Sequence, residues 1–240
     1  RDAKDPMDVK SRKRYELNPV PRDRLTNLFY ERWVSANARQ VEKLSNGKLG
    51  YIHIPSMDEA GLDRFVRALY SENFGKEALV LDVRFNGGGF THDQILNYLG
   101  AREHTIFQSR EGEKGLVLRS YDRKWTKPII LLINNRSYSD AEIFPSAFKT
   151  LGLGKLVGQP TGGMVIGTVN TKLLDGSSFR LPRLGVYTSD GIDMDTRGVK
   201  PDFLVEPTVD ELLQGKDSQL EKAVEELSRQ LQSAGDQRQQ

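Results

Sequence analysis

The sequence predicts an α/β domain built on a largely parallel sheet, and three observations carry that prediction. Two apolar runs, ALVLDVR at residues 78–84 and PIILLIN at residues 128–134, are continuous enough for strands buried on both faces. Each is followed by apolar residues at helical spacing, so strand and helix alternate along the chain. An Asp175-Gly176 pair between two alternating segments then signals an antiparallel hairpin as an excursion from that sheet.

Taken in order, residues 1–22 are polar apart from the short piece RYELNPVP, too poor in apolar residues for a core of their own. Leu25, Leu28, Phe29 and Trp33 fall at helical spacing after Asp23, a cap candidate, and LSNG at residues 44–47 ends that helix. KLGYIHIP reads as a strand. It is followed by Asp58 as N-cap and by the stripe Leu62, Phe65, Val66 and Leu69 of a second helix. After ALVLDVR, the glycine-rich FNGGGF turns the chain and THDQILNYLGA resumes helical spacing. PIILLIN is the third strand, SDAEIFPSAFKTLG the third helix, with Pro145 expected to kink or restart it, and KLVGQ a short fourth strand. VNTKLLDGSSFRLP forms the hairpin. In DSQLEKAVEELSRQLQ, Ser218 and Glu221 have the spacing of a capping box, and Leu220, Ala223, Val224, Leu227 and Leu231 make one apolar face. The final GDQRQQ is expected to fray.

Composition narrows the function classes. With 240 residues, 37% of them hydrophobic, the chain can bury one sizeable core. Its 35 basic and 33 acidic residues nearly cancel and are spread along the chain, which argues against a nucleic-acid partner. The absence of cysteine removes disulfides, thiolate metal sites and a Cys nucleophile. No apolar run approaches the ~18 residues that span a bilayer, so no membrane partner is expected. The chain begins at Arg rather than Met, which leaves open a targeting segment or a whole upstream domain before it.

Three stretches could carry chemistry. In NNRSYSDAEIF, residues 134–144, a buried strand hands over to a helix, at the end where α/β sheets place their sites. A serine there lies beside unpaired N–H groups and the positive end of a helix dipole. Position alone favours an ordinary helix cap at Ser139, with Asp140 complementing the dipole, over a nucleophile at Ser137 or Ser139. The glycines of FNGGGF can aim backbone N–H groups at an anion, but the stretch is neither GxGxxG nor a P-loop, so no phosphate cofactor is expected. Asp190, Asp193 and Asp195 lack the Gly and Glu of a calcium loop, and the spacing of His53, His92 and His104 supports no metal.

Together GYIHIP, LDVRFNGGG, SYSDAEIF, LVGQPTGG and GVKPD resemble, in order and spacing, the catalytic domain of the tricorn and tail-specific serine proteases, the S41 peptidase group. The resemblance covers roughly residues 22–206. It implies a crotonase/ClpP-like α/β fold with residues 23–240 as the catalytic domain and residues 1–22 as the C-terminal remnant of a PDZ-like domain and its linker. It makes Ser139 the nucleophile and assigns the oxyanion hole to the backbone N–H groups of Asp140 and Gly88, with Gly89 as the close alternative. In place of the lysine used by tail-specific members, TGGMVIGT carries a methionine, which argues against a Ser/Lys dyad. Tricorn-like members use a histidine located before the PDZ domain, and Asp195 occupies the place of their supporting acidic residue, where glutamate is usual. The implied activity is a serine endopeptidase acting on peptides or unfolded polypeptides, with its general base outside this chain and His92 the lesser substitute; as an isolated chain it is expected to be nearly inert. The resemblance also favours a homo-oligomer and a cytoplasmic setting. Two rivals share the fold: a non-catalytic ligand-binding or scaffold module, and a crotonase-like acyl-CoA enzyme.

Overall fold

The computed structural model describes residues 15–100, 103–108, 114–119 and 124–238. The chain divides into two compact units, Arg1–Ala36 and Asn37–Gln240. Residues 1–14, most of the stretch expected to close a PDZ-like domain, lie outside the described residues.

In the first unit the described residues are the irregular, exposed stretch 15–21 and the start of α1 (Arg22–Leu44). The helix begins one residue before Asp23, which therefore lies in the first turn and complements the dipole there instead of capping it. The expected stripe is not its buried face: Leu25, Leu28 and Phe29 are exposed.

In the second unit α1 ends with Asn37 and Val41 buried. Then follow β1 (Leu49–His53), α2 (Glu59–Ala68), a π-helical turn at Leu69–Asn73, β2 (Ala78–Asp82) and α3 (His92–Asn97). Next come β3 (Glu103–Gln108), β4 (Lys114–Arg119), β5 (Ile129–Ile133), α4 (Asp140–Thr150), β6 (Gly154–Gly158), β7 (Ile166–Lys172), β8 (Ser178–Gly185), β9 (Phe203–Leu204), α5 (Val209–Leu213) and α6 (Ser218–Arg238). The sheet has the order β1-β2-β5-β6-β9 with every neighbour parallel. β3 pairs with β4 and β7 with β8 as separate antiparallel hairpins.

The expected α/β fold with a hairpin excursion is what forms, for the reasons read in the apolar runs. All residues of β1, β2 and β5 are buried. Strand side chains alternate between faces. Leu79, Leu81, Leu131 and Ile133 therefore join Phe65, Phe144 and Phe148 of α2 and α4 in one core. Val80, Ile130 and Leu132 point the other way, towards α6, which contacts β2, β5 and β6 and buries Leu220, Ala223, Val224 and Leu227. Full burial of a side chain such as Phe144 contributes about 1.5–3 kcal/mol.

Local signals met mixed outcomes. Asp58 caps α2 by accepting from the Gly61 N–H at 2.7 Å. The hairpin turns at Gly176, at φ +82°, with the Asp175 carboxylate accepting from the Ser177 N–H at 2.9 Å. α4 runs through Pro145 without restarting. α6 is capped by Asp217, whose side chain accepts from the Leu220 N–H at 2.9 Å, so the Ser218–Glu221 capping box does not form. That helix continues to Arg238, past the point where fraying was expected. Among the described residues no helix is long and apolar enough to cross a membrane.

Beneath the sheet's C-terminal edge lies a buried ionic knot. Arg84 is 3% exposed and holds Asp82 at 2.8 Å and the α6 cap Asp217 at 2.9 Å. Tyr51 donates to Asp82 at 2.8 Å. Burial raises the Arg84 pKa cost of staying charged, yet the two carboxylates more than offset it and the guanidinium pKa lies well above its usual value. This knot fastens α6 to the strand end from which the glycine-rich loop departs.

Candidate active site

The parallel register Asp82↔Leu132 brings the C-terminal ends of β2 and β5 side by side, so the loops that follow them must meet. Two buried asparagines organise that meeting. Asn134 accepts the Phe85 N–H at 3.1 Å, and Asn86 donates to the Ile54 carbonyl at 2.9 Å while its own carbonyl takes the Tyr138 N–H at 3.0 Å. Ser137, fully buried, donates through Oγ to the Val83 carbonyl at 2.9 Å and accepts from the Asn134 N–H at 3.3 Å. Its hydroxyl is occupied in fastening the two loops together.

Ser139 is different. It is part-exposed, and among the described residues its Oγ donates to no other group. Its backbone, at φ +54° and ψ −119°, lies in a region that non-glycine residues rarely occupy. An N-cap serine has extended backbone and uses its hydroxyl to accept from the first turn. Here the Glu142 N–H meets the Ser139 carbonyl at 2.8 Å, within a capping box that pairs the Ser139 and Glu142 side chains with each other's backbone N–H. The geometry is that of a strained strand-to-helix elbow that carries a capping box on a backbone no ordinary N-cap adopts.

The glycine-rich loop packs directly against this elbow. A Cβ on Gly88 would stand 2.7 Å from Ser139 Cβ and 3.1 Å from the Asp140 nitrogen, and φ of +93° also requires glycine there. The loop is laced to residue 57, with the Met57 N–H on the Gly88 carbonyl at 2.9 Å and the Phe90 N–H on the Met57 carbonyl at 2.6 Å. The Gly88 N–H donates to Asn86 Oδ1 at 2.8 Å. The amides of Asp140 and Gly89 have no acceptor among the described residues.

The Asp140 side chain, 1% exposed, has a task of its own. Its Oδ2 accepts from the N–H groups of Thr91 at 2.9 Å and His92 at 3.1 Å, and its Oδ1 lies 2.5 Å from His92 Nδ1. It thereby joins the start of α3 to the start of α4. The Asp140 carboxylate raises the His92 pKa against the opposing pull of partial burial. His92 Nδ1 thus faces the Asp140 carboxylate, while its ring lines a pocket of about 260 Å³ with Ile143, Ala147, Val186 and Met194. His53 is buried with Nε2 on the Arg84 carbonyl at 2.9 Å, and burial lowers its pKa. The side chain of His104 lies outside the described residues.

Asp195, part-exposed, occupies the 194–199 segment, and among the described residues its carboxylate has no partner. Sequence reasoning missed what ties this segment to Ser139. Thr161 Oγ1 takes the Val199 N–H at 2.7 Å, the Thr196 N–H reaches the Gly163 carbonyl at 2.8 Å, and residues 161–164 in turn surround Glu142. The signals that could have pointed there are a glutamate three positions after Ser139 and the Gly162-Gly163 pair.

Comparison with known proteins follows the same lines. The model of peptidase family S41 matches residues 48–205. Tricorn protease of Thermoplasma acidophilum is 38% identical over 205 residues, which are 84% of this chain and 19% of that protein. The carboxy-terminal processing protease CtpA of Bacillus subtilis is 30% identical over 171 residues, 68% of this chain and 36% of that protein. The crystal structure of tricorn protease superposes with a TM-score of 0.74 at 36% identity, covering 85% of this chain and 20% of that one. The chain thus spans about a fifth of the length of the tricorn proteases it matches.

Proposed function

Because the chain belongs to peptidase family S41, we propose that it carries the nucleophile of a serine endopeptidase acting on peptides or unfolded polypeptides, with the general-base histidine supplied from outside these residues. The observation that carries this reading is Ser139: a strained, part-exposed residue whose Oγ donates to no other group among the described residues, next to an unpaired Asp140 N–H and packed on Gly88.

In this reading Ser139 Oγ attacks the scissile carbonyl carbon as the histidine takes its proton, and the carbonyl oxygen becomes an oxyanion. The Asp140 N–H, at the positive end of α4, is one donor to that oxyanion. The second comes from the Gly88–Gly89 backbone, and Gly89 has the amide that is free to give it, since the Gly88 N–H is held by Asn86. One such donor is worth about 10²–10³ in rate. The histidine then returns the proton to the departing amine, and water hydrolyses the acyl-enzyme with the roles repeated. Asp195, whose carboxylate is unengaged among the described residues, orients the incoming base. His92 is not assigned that role: among the described residues neither of its ring nitrogens is hydrogen-bonded to Ser139 Oγ, and the Asp140 carboxylate on its Nδ1 side ties it to the start of α4.

The test is hydrolysis of an unfolded polypeptide by the full-length polypeptide that contains this chain. Ser139→Ala is expected to remove all but ~10³–10⁴-fold catalysis over water. A Ser139→Ala protein that turns over at the parental rate would refute the assignment.

A further inference from the structure

Glu142 is completely buried, yet it is a carboxylate three residues after the proposed nucleophile. Four donors surround it. Oε1 accepts from the N–H groups of Ser139 at 3.2 Å and Met164 at 2.8 Å, and Oε2 accepts from Thr161 Oγ1 at 2.6 Å and the Gly163 N–H at 2.7 Å. A glutamate serving only its own helix end would need the first of these. The other three come from residues 161–164, and that segment holds residues 196 and 199 through Gly163 and Thr161.

We propose that Glu142 is a positioning residue: its buried carboxylate holds the Ser139 backbone in its strained conformation and links it to the 161–164 and 194–199 segments, so that the nucleophile and Asp195 are fixed in one frame. The inference rests on the reading of Ser139 as nucleophile. The physical case is that a non-glycine residue at φ +54° reverts to a commoner conformation unless its surroundings over-determine it. Glu142 supplies that determination at the Ser139 N–H, while the Ser139 carbonyl accepts from the Glu142 and Ile143 N–H groups. An ionised carboxylate suits four converging donors because it accepts at both oxygens and brings no competing hydrogen.

Glu142→Gln and Glu142→Ala in the full-length polypeptide test this, with the rate of Ser139 modification by a fluorophosphonate and peptide turnover as readouts. In the glutamine variant the amide oxygen can keep Ser139 and Met164, and the Thr161 hydroxyl can accept from the new NH₂, but the Gly163 N–H loses its acceptor. A fall of about tenfold is expected for glutamine and about 10²-fold for alanine, in both modification rate and kcat, since displacements near 1 Å have effects of that order. KM is expected to stay within about twofold of the parent, because Glu142 touches no substrate. A merely structural glutamate would lower the thermal midpoint without changing the reactivity of the folded fraction. Parental reactivity in the folded variants, or a raised KM with kcat unchanged, would overturn the proposal. If the alanine variant fails to fold, glutamine and Thr161→Val, which removes the hydroxyl donor to Oε2 together with the acceptor of the Val199 N–H, decide the matter by the same readouts. Failure of the underlying reading is separate: Ser139→Ala would then be modified as readily as the parent, whatever the Glu142 variants do.

Discussion

Replacing Gly88 by alanine should disable the site while leaving the sheet folded. The added Cβ would stand 2.7 Å from Ser139 Cβ, 2.8 Å from the Tyr138 carbonyl oxygen and 3.1 Å from the Asp140 nitrogen. Non-bonded carbons rest at about 3.5–4.0 Å, so loop and elbow must part by roughly 1 Å. Overpacking costs about 1–3 kcal/mol. Holding alanine at φ +93° adds about 1–3 kcal/mol. Partial relaxation leaves about 2–4 kcal/mol, or some 4–16 °C in Tm at ~2–4 °C per kcal/mol for a chain of this size. Fluorophosphonate modification of Ser139 should slow by about 10²-fold, because the shift falls on the nucleophile itself and on the amides beside it. Gly87 is the control: a Cβ there meets nothing within 4 Å and its φ is not positive. Gly87→Ala is therefore expected to keep the parental midpoint within about 2 °C and the parental reactivity. The two variants compared at a temperature where both are folded separate reactivity from stability. Equal modification rates for Gly88→Ala and Gly87→Ala would refute the reasoning.

Two further outcomes follow from the charged groups. Asp140 raises the His92 pKa, so the stability this pair contributes is fully present below the ordinary histidine value near 6.5 and is lost as pH rises through the higher folded value. Asp93 adds a smaller upward pull, so Asp140→Asn should lower the His92 pKa measured by NMR without removing the whole shift. The stability difference between parent and variant should be larger at pH 5.5 than at pH 9; a difference that does not change with pH would contradict the assignment. Arg84→Ala leaves Asp82 buried with the Tyr51 hydroxyl but without its guanidinium, at a cost of about 3–5 kcal/mol seen by denaturant unfolding. A change below about 1 kcal/mol would show that the knot is not what fastens α6 to the sheet.

How much of this could be read from the residues depends on whether their partners are near in sequence. β2 and β5 were legible because strands buried on both faces leave continuous apolar runs, and Asp58 because a cap bonds within its own turn. α6 was legible as a helix, but its cap was misplaced by one residue, since Asp217 and Ser218 both carry a capping oxygen and only the ties to Leu220 and Arg84 choose between them. β9 escaped because two residues have no period to detect. β3 and β4 escaped too, and the π-helical turn after α2 left no mark that helical spacing would show.

The site divides in the same way. Position alone left Ser137, Ser139 and a plain cap as alternatives, and resemblance chose Ser139; in the structure the Ser137 hydroxyl donates to the Val83 carbonyl, while Ser139 combines a capping box with a strained backbone. The carboxylate of Asp140 looked secondary to its N–H, yet it carries Thr91 and His92. Glu142 was hidden because three of its four donors are backbone N–H groups, which a side-chain pattern does not record.

The most direct test of the central claim is to treat the full-length polypeptide with a fluorophosphonate and locate the adduct by peptide mass spectrometry. The account predicts a single phosphonylated serine at Ser139, absent from Ser139→Ala. An adduct on Ser137, or an active peptidase left unmodified at Ser139, would contradict it.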